Sequence, residues 1–225
     1  MPPLFVEIGL LVISYLLGSV PNALIISKLF KGIDIREYGS KNMGATNVLR
    51  VLGIKYGLLV FFLDALKASV IILLFKVGIF SVDKYNHFPV LLYGFMAVIG
   101  HLFPIFANFK GGKGVACSAG IICSYAPLIA IPTLLVFLIV ALTTKYVSLG
   151  SILAVITAFI GSFIVPIIMN QPLDWILIIT VFVIMIIFLI SHRANIKRLL
   201  AGKEPKFKAG SARDVSKDSY GGKDE

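Results

Sequence analysis

The sequence predicts an all-α polytopic membrane protein with seven transmembrane helices. Hydrophobic residues make up 58% of the 225-residue chain and charged residues only 14%, whereas a soluble domain carries about 25% charged residues. The mean hydropathy is +0.97. The apolar residues form continuous runs instead of the alternating pattern of a membrane β-barrel, so the predicted spans are helices.

Six apolar runs carry this prediction. They cover residues 4–30, 54–80, 88–107, 115–143, 146–169 and 173–191. Most of them reach the roughly 20 residues that a helix needs to cross a bilayer. No basic residue precedes the first run, whereas Lys28 and Lys31 follow it. We therefore expect an uncleaved first span and not a signal peptide.

The fourth run is too long for one ordinary span. As one helix, residues 115–143 would measure about 44 Å, and Pro127 disfavours an unbroken helix at its centre. Two short helices, about 113–125 and 127–143, bring the total to seven. A five-span protein in which 113–143 forms a re-entrant pair is the alternative.

The distribution of basic residues predicts the orientation. If the basic loop at 31–53 is cytoplasmic, the N-terminus lies outside and, with seven spans, the C-terminus is cytoplasmic. All lysines and arginines except Lys67, Lys76 and Lys84 then lie on or beside the cytoplasmic face, as the positive-inside rule requires. That rule and contact with membrane lipids explain the net charge of +10, so no nucleic-acid partner is expected.

The chain divides into a membrane domain and a tail. Residues 1–200 are predicted to form a single integral membrane domain, and the charged segment 201–225 a disordered cytoplasmic tail. Cys117 and Cys123 lie in an apolar stretch without the spacing of metal ligands. Neither a metal site nor a cofactor is therefore expected.

Three polar islands interrupt the apolar chain: GSKNMGATNVLR (39–50), FKGGKG (109–114) and HRANIKRL (192–199). Each combines Gly or Asn with basic residues beside a predicted span. The first island supplies several candidate ligands for an anion, namely Ser40, Asn42, Thr46, Asn47 and Arg50. An arginine can bind phosphate with two parallel hydrogen bonds, so we expect an anion site here rather than an ordinary hydrophilic loop.

The second island contains Gly111, Gly112, Lys113 and Gly114. Consecutive glycines allow backbone N–H groups to surround a phosphate, and Lys113 adds a positive charge. The island is not a nucleotide-binding P-loop, because Ala107 stands where the first glycine of that motif belongs. The alternative is a flexible loop that is basic only because it is cytoplasmic.

His192 and Asn195 of the third island are three residues apart and therefore share a helix face. That face can point to a substrate, although a helix end with basic anchors is the alternative. Asp64 and Lys67, within the second span, are predicted to neutralise each other, with a proton path as the other possibility. For His101 a structural hydrogen bond is expected.

Taken together, the motifs resemble those of a known family. The stretches GSKNMGATNVLR, GHLFPIFANFKGGKGVA and HRANIKRLLAGKE closely resemble the three motifs of the bacterial acyl-phosphate:glycerol-3-phosphate acyltransferases. The segment from Asp64 to Lys67 resembles part of that family's second helix. The likeness covers nearly the whole chain up to about residue 206, and the rest of the tail has no recognised counterpart.

The resemblance implies a seven-helix enzyme of the bacterial cytoplasmic (inner) membrane with its active site on the cytoplasmic side. Such an enzyme moves a fatty acyl group from acyl phosphate to the 1-hydroxyl of glycerol 3-phosphate, giving lysophosphatidate and inorganic phosphate. The implied substrate-binding or catalytic residues are Ser40, Arg50, Lys113, His192 and Asn195. The resemblance also implies that Gly111, Gly112 and Gly114 form the phosphate loop and that Glu204 is structural. The departures at Lys41, Met43 and Cys117 touch none of these residues.

This chemistry agrees with the composition of the islands, since both substrates carry phosphate. We expect Lys113, Arg50 and Ser40 to hold phosphate groups, and His192 and Asn195 to orient glycerol 3-phosphate. The proton acceptor is either His192 or the phosphate of the donor. The enzyme that makes acyl phosphate is a further candidate partner. A phosphate transporter and a non-catalytic lipid-binding subunit are the rival hypotheses.

Overall fold

The computed structural model of the chain describes residues 3–207. Over that range the protein consists of ten α-helices and two short 3-10 turns, with no strand. The helices are α1 Leu4–Ser19, α2 Asn22–Lys31, α3 Ala45–Leu52, α4 Ile54–Lys76, α5 Val90–Leu102, α6 Val115–Tyr125, α7 Pro127–Thr144, α8 Val147–Ile168, α9 Trp175–Ser191 and α10 Arg193–Leu200. The 3-10 turns are Ile35–Glu37 and Ile105–Ala107.

Five helical stretches in the described part of the chain are long and apolar enough to cross a membrane. They are Leu4–Lys31, Ile54–Lys76, Val90–Ala107, Pro127–Thr144 and Val147–Ile168. A sixth is obtained when α9 and α10, bent by 61° relative to each other, are taken as one span. The apolar helix α6 has only 11 residues. The predicted all-α membrane fold is confirmed, while the count of seven crossings stays a prediction.

Two helix breaks coincide with prolines. The break between α6 and α7 falls at Ala126, and Pro127 occupies the first position of α7, where its missing N–H leaves no hydrogen bond unmade. These helices agree with the two short ones predicted from the fourth run. The first run, expected as one helix, is interrupted at Val20 and Pro21. A proline in a helix removes one backbone hydrogen bond and clashes with the preceding turn.

The helices pack in a bundle in which α1 lies against α5, α4 against α3 and α6, and α8 against α7 and α9. Glycines allow the closest approaches. A Cβ on Gly18 of α1 would lie 2.1 Å from the carbonyl oxygen of Ala97, and one on Gly120 of α6 would lie 2.2 Å from that of Ala65. Small residues at such contacts are typical of membrane helix bundles.

Apolar side chains also cover much of the outside of the bundle. Phe5 and Leu29 are 71% exposed, and Ile168 is 70% exposed. A soluble protein rarely leaves so many large apolar side chains in water, whereas lipid tails accommodate them. This surface therefore identifies an integral membrane protein.

The chain after α10 folds back across the helices. Glu204 is 5% exposed, and the backbone N–H of Phe207 donates to the carbonyl of Lys145 at 2.7 Å. Residues 201–207, which the sequence assigned to a disordered tail, are thus held against the membrane domain. The remainder of the predicted tail, 208–225, lies outside the described residues.

Candidate active site

The three polar islands meet around one chamber of about 480 Å³. The predicted site residues that line the chamber are Ser40, Asn42, Thr46, Asn47, Arg50, Asp64, Lys113, Gly114, His192, Asn195 and Glu204. Gly111, Gly112 and Lys67 are not among its lining residues. Segments from residue 40 to residue 204 therefore contribute to a single site.

The amide of Asn47 folds the first island into its shape. Its Oδ1 accepts from the backbone N–H of Ser40 at 2.8 Å, and its Nδ2 donates to the carbonyls of Ile35 and Tyr38 at 3.2 and 3.1 Å. Asn47 is 2% exposed. Although Asn47 lines the chamber, its side chain is already engaged in holding the loop before α3. Its position thus fixes where Ser40 and the start of α3 lie.

Arg50, on α3, presents an incompletely bonded guanidinium to the chamber. Its Nη2 donates to the carbonyl of Pro205 at 3.3 Å, while its buried Nε has no hydrogen-bond partner within residues 3–207. Burial lowers the pKa of Arg50, and the nearby charge of Glu204 opposes that shift. A buried donor without a partner is rare in folded proteins, and an anion in the chamber would satisfy it.

Lys113, Asn195 and Glu204 form a chain of hydrogen bonds at one side of the chamber. The Nζ of Lys113 donates to Oδ1 of Asn195, and Nδ2 of Asn195 donates to Oε1 of Glu204 at 2.7 Å. Ser148 and Arg198 each donate to the same carboxylate at 2.7 Å. Glu204 therefore fixes the orientation of the Asn195 amide, which in turn holds the ammonium group of Lys113.

Burial makes Lys113 easier to deprotonate than an ordinary lysine. It lowers the pKa of Lys113 to about 8, with the charge of Glu204 acting in the opposite direction. Burial also disfavours the charge of Glu204, but the hydrogen bonds from Asn195, Ser148 and Arg198 outweigh it, so the pKa of Glu204 lies below its usual value. Near neutral pH the chamber thus contains a charged lysine beside a charged glutamate.

His192 joins α9 to α10 and is neutral near pH 7. Burial, together with the charge of Lys113, lowers the pKa of His192 to about 4. Its ring stacks on that of Phe188 with centroids 4.0 Å apart. Its Nδ1 lies 2.9 Å from the carbonyl of Phe188, which can only accept a hydrogen bond. The proton is therefore on Nδ1, and Nε2 has a free lone pair.

The second island wraps around the end of α5. A Cβ on Gly111 would lie 2.0 Å from the carbonyl oxygen of His101, and one on Gly112 would lie 2.1 Å from the His101 Nε2 atom. The N–H of Gly112 also donates to the His101 carbonyl at 3.1 Å. These two glycines are thus explained by their close approach to His101, and only Gly114 of the three lines the chamber.

A buried polar cluster at Asp64 lies next to the chamber. Lys67 Nζ and Asn22 Nδ2 are both 2.9 Å from Oδ1 of Asp64, and His101 Nδ1 is 3.7 Å from the same atom. Lys67 Nζ also donates to the carbonyl of Val20 at 2.7 Å. The ion pair expected between Asp64 and Lys67 is present, and it ties α4 to the break between α1 and α2.

An apolar cleft between helices adjoins the polar chamber. Phe61, Val115, Phe137 and Ser151 line both spaces, so the cleft and the chamber are direct neighbours. Most other side chains of the cleft belong to Leu, Ile, Val, Ala and Phe. The combination of a cationic chamber with an apolar cleft suits a ligand that has an anionic head and a hydrocarbon chain.

Sequence reasoning missed the role of Ser148 and treated Arg198 only as a basic anchor. Ser148 lies at the start of α8 within an apolar run. Its contact with Glu204 joins segments 56 residues apart, and local spacing contains no signal for such a contact. An isolated serine beside a predicted loop is a weak indication at best.

Comparisons with known proteins give a consistent result. A family model described as glycerol-3-phosphate acyltransferase matches residues 8–202. A glycerol-3-phosphate acyltransferase of Listeria monocytogenes is 47% identical over 196 residues, which cover 87% of this chain and 94% of the relative. One of Bacillus subtilis is 47% identical over 199 residues, covering 88% and 96%. The crystal structure of PlsY (YgiH), an integral membrane glycerol 3-phosphate acyltransferase, in its glycerol 3-phosphate form, matches with a TM-score of 0.77 and 40% identity, covering 90% of this chain and 96% of the other.

Proposed function

The chain belongs to the glycerol-3-phosphate acyltransferase family, and we propose that its acyl donor is acyl phosphate. The reaction would move the fatty acyl group to the 1-hydroxyl of glycerol 3-phosphate and give lysophosphatidate and inorganic phosphate. Glycerol 3-phosphate is then its acceptor substrate, and membrane lipids surround the protein. This step commits acyl chains to phospholipid synthesis.

The observation that carries the proposal is that the cationic chamber and the apolar cleft lie side by side and share lining residues. Acyl phosphate has an anionic head joined directly to an acyl chain, so its two parts match the two spaces. Phosphate is a good leaving group, and the reaction therefore makes little demand on a strong general acid. The chamber agrees with this chemistry, because His192 is neutral and Lys113 is positively charged near pH 7.

The lining residues suggest a division of roles. Arg50, Lys113 and Ser40 hold the phosphate groups, because cations and N–H donors are what phosphate requires. Asn42 and Thr46 complete the polar wall of the chamber. The roles of Gly111 and Gly112 are to let the loop close over His101 and so to place Lys113, with Gly114 at the chamber itself.

The chemical step forms one C–O bond and breaks another. The 1-hydroxyl oxygen of glycerol 3-phosphate attacks the acyl carbon, and phosphate leaves with the electron pair of the C–O bond that joined it to the acyl group. His192 Nε2 accepts a hydrogen bond from the hydroxyl and aims its oxygen. Because the pKa of His192 is about 4, the departing phosphate, whose former bridging oxygen leaves with a negative charge, is the better proton acceptor.

The proposed setting is the bacterial cytoplasmic membrane. Seven crossings, with α6 as the short fourth one, give an external N-terminus and place the chamber on the cytoplasmic side. Residues 1–200 then act as one membrane domain, with residues 201–207 as an integral extension of it. A partner that makes acyl phosphate would supply the donor from the cytoplasm.

The assay that tests the donor uses the purified protein in detergent with labelled glycerol 3-phosphate. Palmitoyl phosphate and palmitoyl-CoA are offered separately, and extracted lysophosphatidate is counted. We expect product with palmitoyl phosphate alone. The Lys113→Ala variant is the negative control. Product from palmitoyl-CoA alone would overturn the proposed donor, and product from neither would overturn acyl transfer.

A further inference from the structure

Ser118 of α6 is an exception among the buried hydroxyl groups of residues 3–207. Its backbone N–H donates to the carbonyl of Gly114 at 2.8 Å, but its buried Oγ has no hydrogen-bond partner within residues 3–207. Most other helical hydroxyls bond to a carbonyl of the preceding turn, as in Ser14, Ser124, Thr133 and Ser151. A buried hydroxyl without a partner costs free energy and calls for an explanation.

The position of Ser118 connects it with the chemistry. Ser118 lines the apolar cleft, one helical turn after Gly114 and Val115, which line the polar chamber. A Cβ on Gly114 would lie 4.0 Å from Ser118 Oγ, so the hydroxyl group lies near the chamber end of the helix. Ser118 is thus placed where the cleft meets the chamber.

The reacting carbonyl group must lie at that same boundary. If the acyl chain occupies the cleft and the phosphate occupies the chamber, the carbon between them lies where Phe61, Val115 and Phe137 line both spaces. When glycerol 3-phosphate attacks that carbon, negative charge develops on the carbonyl oxygen. A donor held ready for this oxygen in a dry site stabilises the transition state more than the ground state.

We propose that Ser118 is a catalytic residue whose hydroxyl donates a hydrogen bond to the acyl carbonyl oxygen. The proposal rests on the proposed function, since it takes the acyl chain to lie in the cleft. In the tetrahedral intermediate the former carbonyl oxygen carries the negative charge and accepts a hydrogen bond from the Ser118 hydroxyl. When the C=O bond forms again, phosphate departs and the ester of glycerol 3-phosphate remains.

Threonine and valine at position 118 provide a matched pair of variants. Ser118→Thr keeps the hydroxyl, whereas Ser118→Val has nearly the same shape without it. We expect Ser118→Val and Ser118→Ala to lower kcat by about 100-fold, since removal of one such donor has an effect of that order. Ser118→Thr should retain kcat within about tenfold. The KM for glycerol 3-phosphate should stay within about twofold throughout.

Ser124→Ala is the control, because Ser124 lies on the same helix and its hydroxyl is bonded to the carbonyl of Gly120 at 2.8 Å. Its kcat should match that of the wild type. Ser118→Ala should not lower the thermal unfolding midpoint, since no hydrogen bond is lost. A kcat for Ser118→Ala within threefold of the wild type overturns the proposal, as does equal activity of the valine and threonine variants.

The identity of the acyl donor and the role of Ser118 are tested separately, because all variants are measured with the donor that the wild-type enzyme uses. If the wild type responds only to palmitoyl-CoA, the proposed donor fails while the comparison at position 118 still decides the role of Ser118. If no donor is turned over, acyl transfer itself fails and the proposed role of Ser118 fails with it.

Discussion

At the scale of single residues, burial sets the charge states in the chamber. Lys113 and His192 are both basic side chains, and burial lowers the pKa of each. The effect leaves Lys113 charged and His192 neutral near pH 7. A cation and an uncharged acceptor thus coexist within one site, which their residue types alone do not guarantee.

The pKa of Lys113 predicts how activity depends on pH. The proposed phosphate binding requires the charged form of Lys113, which predominates below the pKa of about 8. We therefore expect kcat/KM for glycerol 3-phosphate to fall as the pH rises through about 8, since this parameter follows the free enzyme. In Lys113→Arg the residual activity should not show that fall, because arginine stays charged. A fall at the same pH in the arginine variant would contradict the assignment.

His192→Gln tests which group accepts the proton. A general base contributes about 100- to 10,000-fold to the rate. If the departing phosphate accepts the proton and His192 only orients the hydroxyl, the variant should keep kcat within about 30-fold and show a raised KM for glycerol 3-phosphate. A loss of kcat beyond 1,000-fold with unchanged KM would instead identify His192 as the base.

At the scale of helices and loops, the glycine loop depends on α5. The approach of Gly111 to the backbone of His101 and of Gly112 to its side chain fixes the path of the loop that carries Lys113. His101 is placed in turn against Asp64 of α4. The path of the loop is therefore set by its contacts with the end of α5.

A double-mutant cycle tests whether the His101 side chain fixes the path of the glycine loop. Gly112→Ala would bring a methyl group within 2.1 Å of the His101 Nε2 atom, so the loop must shift and kcat/KM should fall. In a His101→Ala background that obstacle is absent, and the same change should have little further effect. The expected coupling is about 1–3 kcal/mol. Parallel unfolding measurements show whether each variant is folded.

Gly111→Ala is the matched control, because its added methyl group meets backbone oxygens of His101 and Leu102. Removal of the His101 side chain cannot relieve that contact. The effect of Gly111→Ala should thus be the same in both backgrounds. Equal coupling at positions 111 and 112, or none at 112, would contradict the role of the His101 side chain.

The sequence alone was sufficient to predict those features of the fold and of the site that have local causes. Pro127 in a run too long for one span predicts the break between α6 and α7, and most of the polar residues singled out in the islands line the chamber. The folding of residues 201–207 was not predictable in this way. It depends on Glu204 meeting Ser148 and on Pro205 meeting Arg50, which is 155 positions away. No periodicity or composition reports such contacts.

At the scale of the whole molecule, contacts among helix ends on one side of the bundle bear on the number of crossings. Lys76 Nζ at the end of α4 donates to the carbonyl of Ser124 at 3.2 Å. Tyr125 donates its hydroxyl to Asp174, before α9, at 2.8 Å. The end of α6 is therefore level with the ends of two long helices, which favours a crossing over a re-entrant turn.

The length of α6 then sets the depth of the chamber. Its 11 residues span about 16 Å at 1.5 Å per residue, roughly half of a hydrocarbon core of about 30 Å. If α6 ends at the outer surface, its start beside Lys113 lies near mid-membrane. The chamber is then a cavity sunk from the cytoplasmic face, and an acyl chain reaches it from the bilayer at the same depth.

Single cysteines test this arrangement in intact cells, in a Cys123→Ala background that retains the buried Cys117. With seven crossings, Ala126→Cys should react with a membrane-impermeant maleimide from outside, as should Lys84→Cys in the preceding external loop. Lys110→Cys should react only after lysis. Labelling at 84 without labelling at 126 would support a re-entrant pair, and labelling at 110 in intact cells would reverse the proposed orientation.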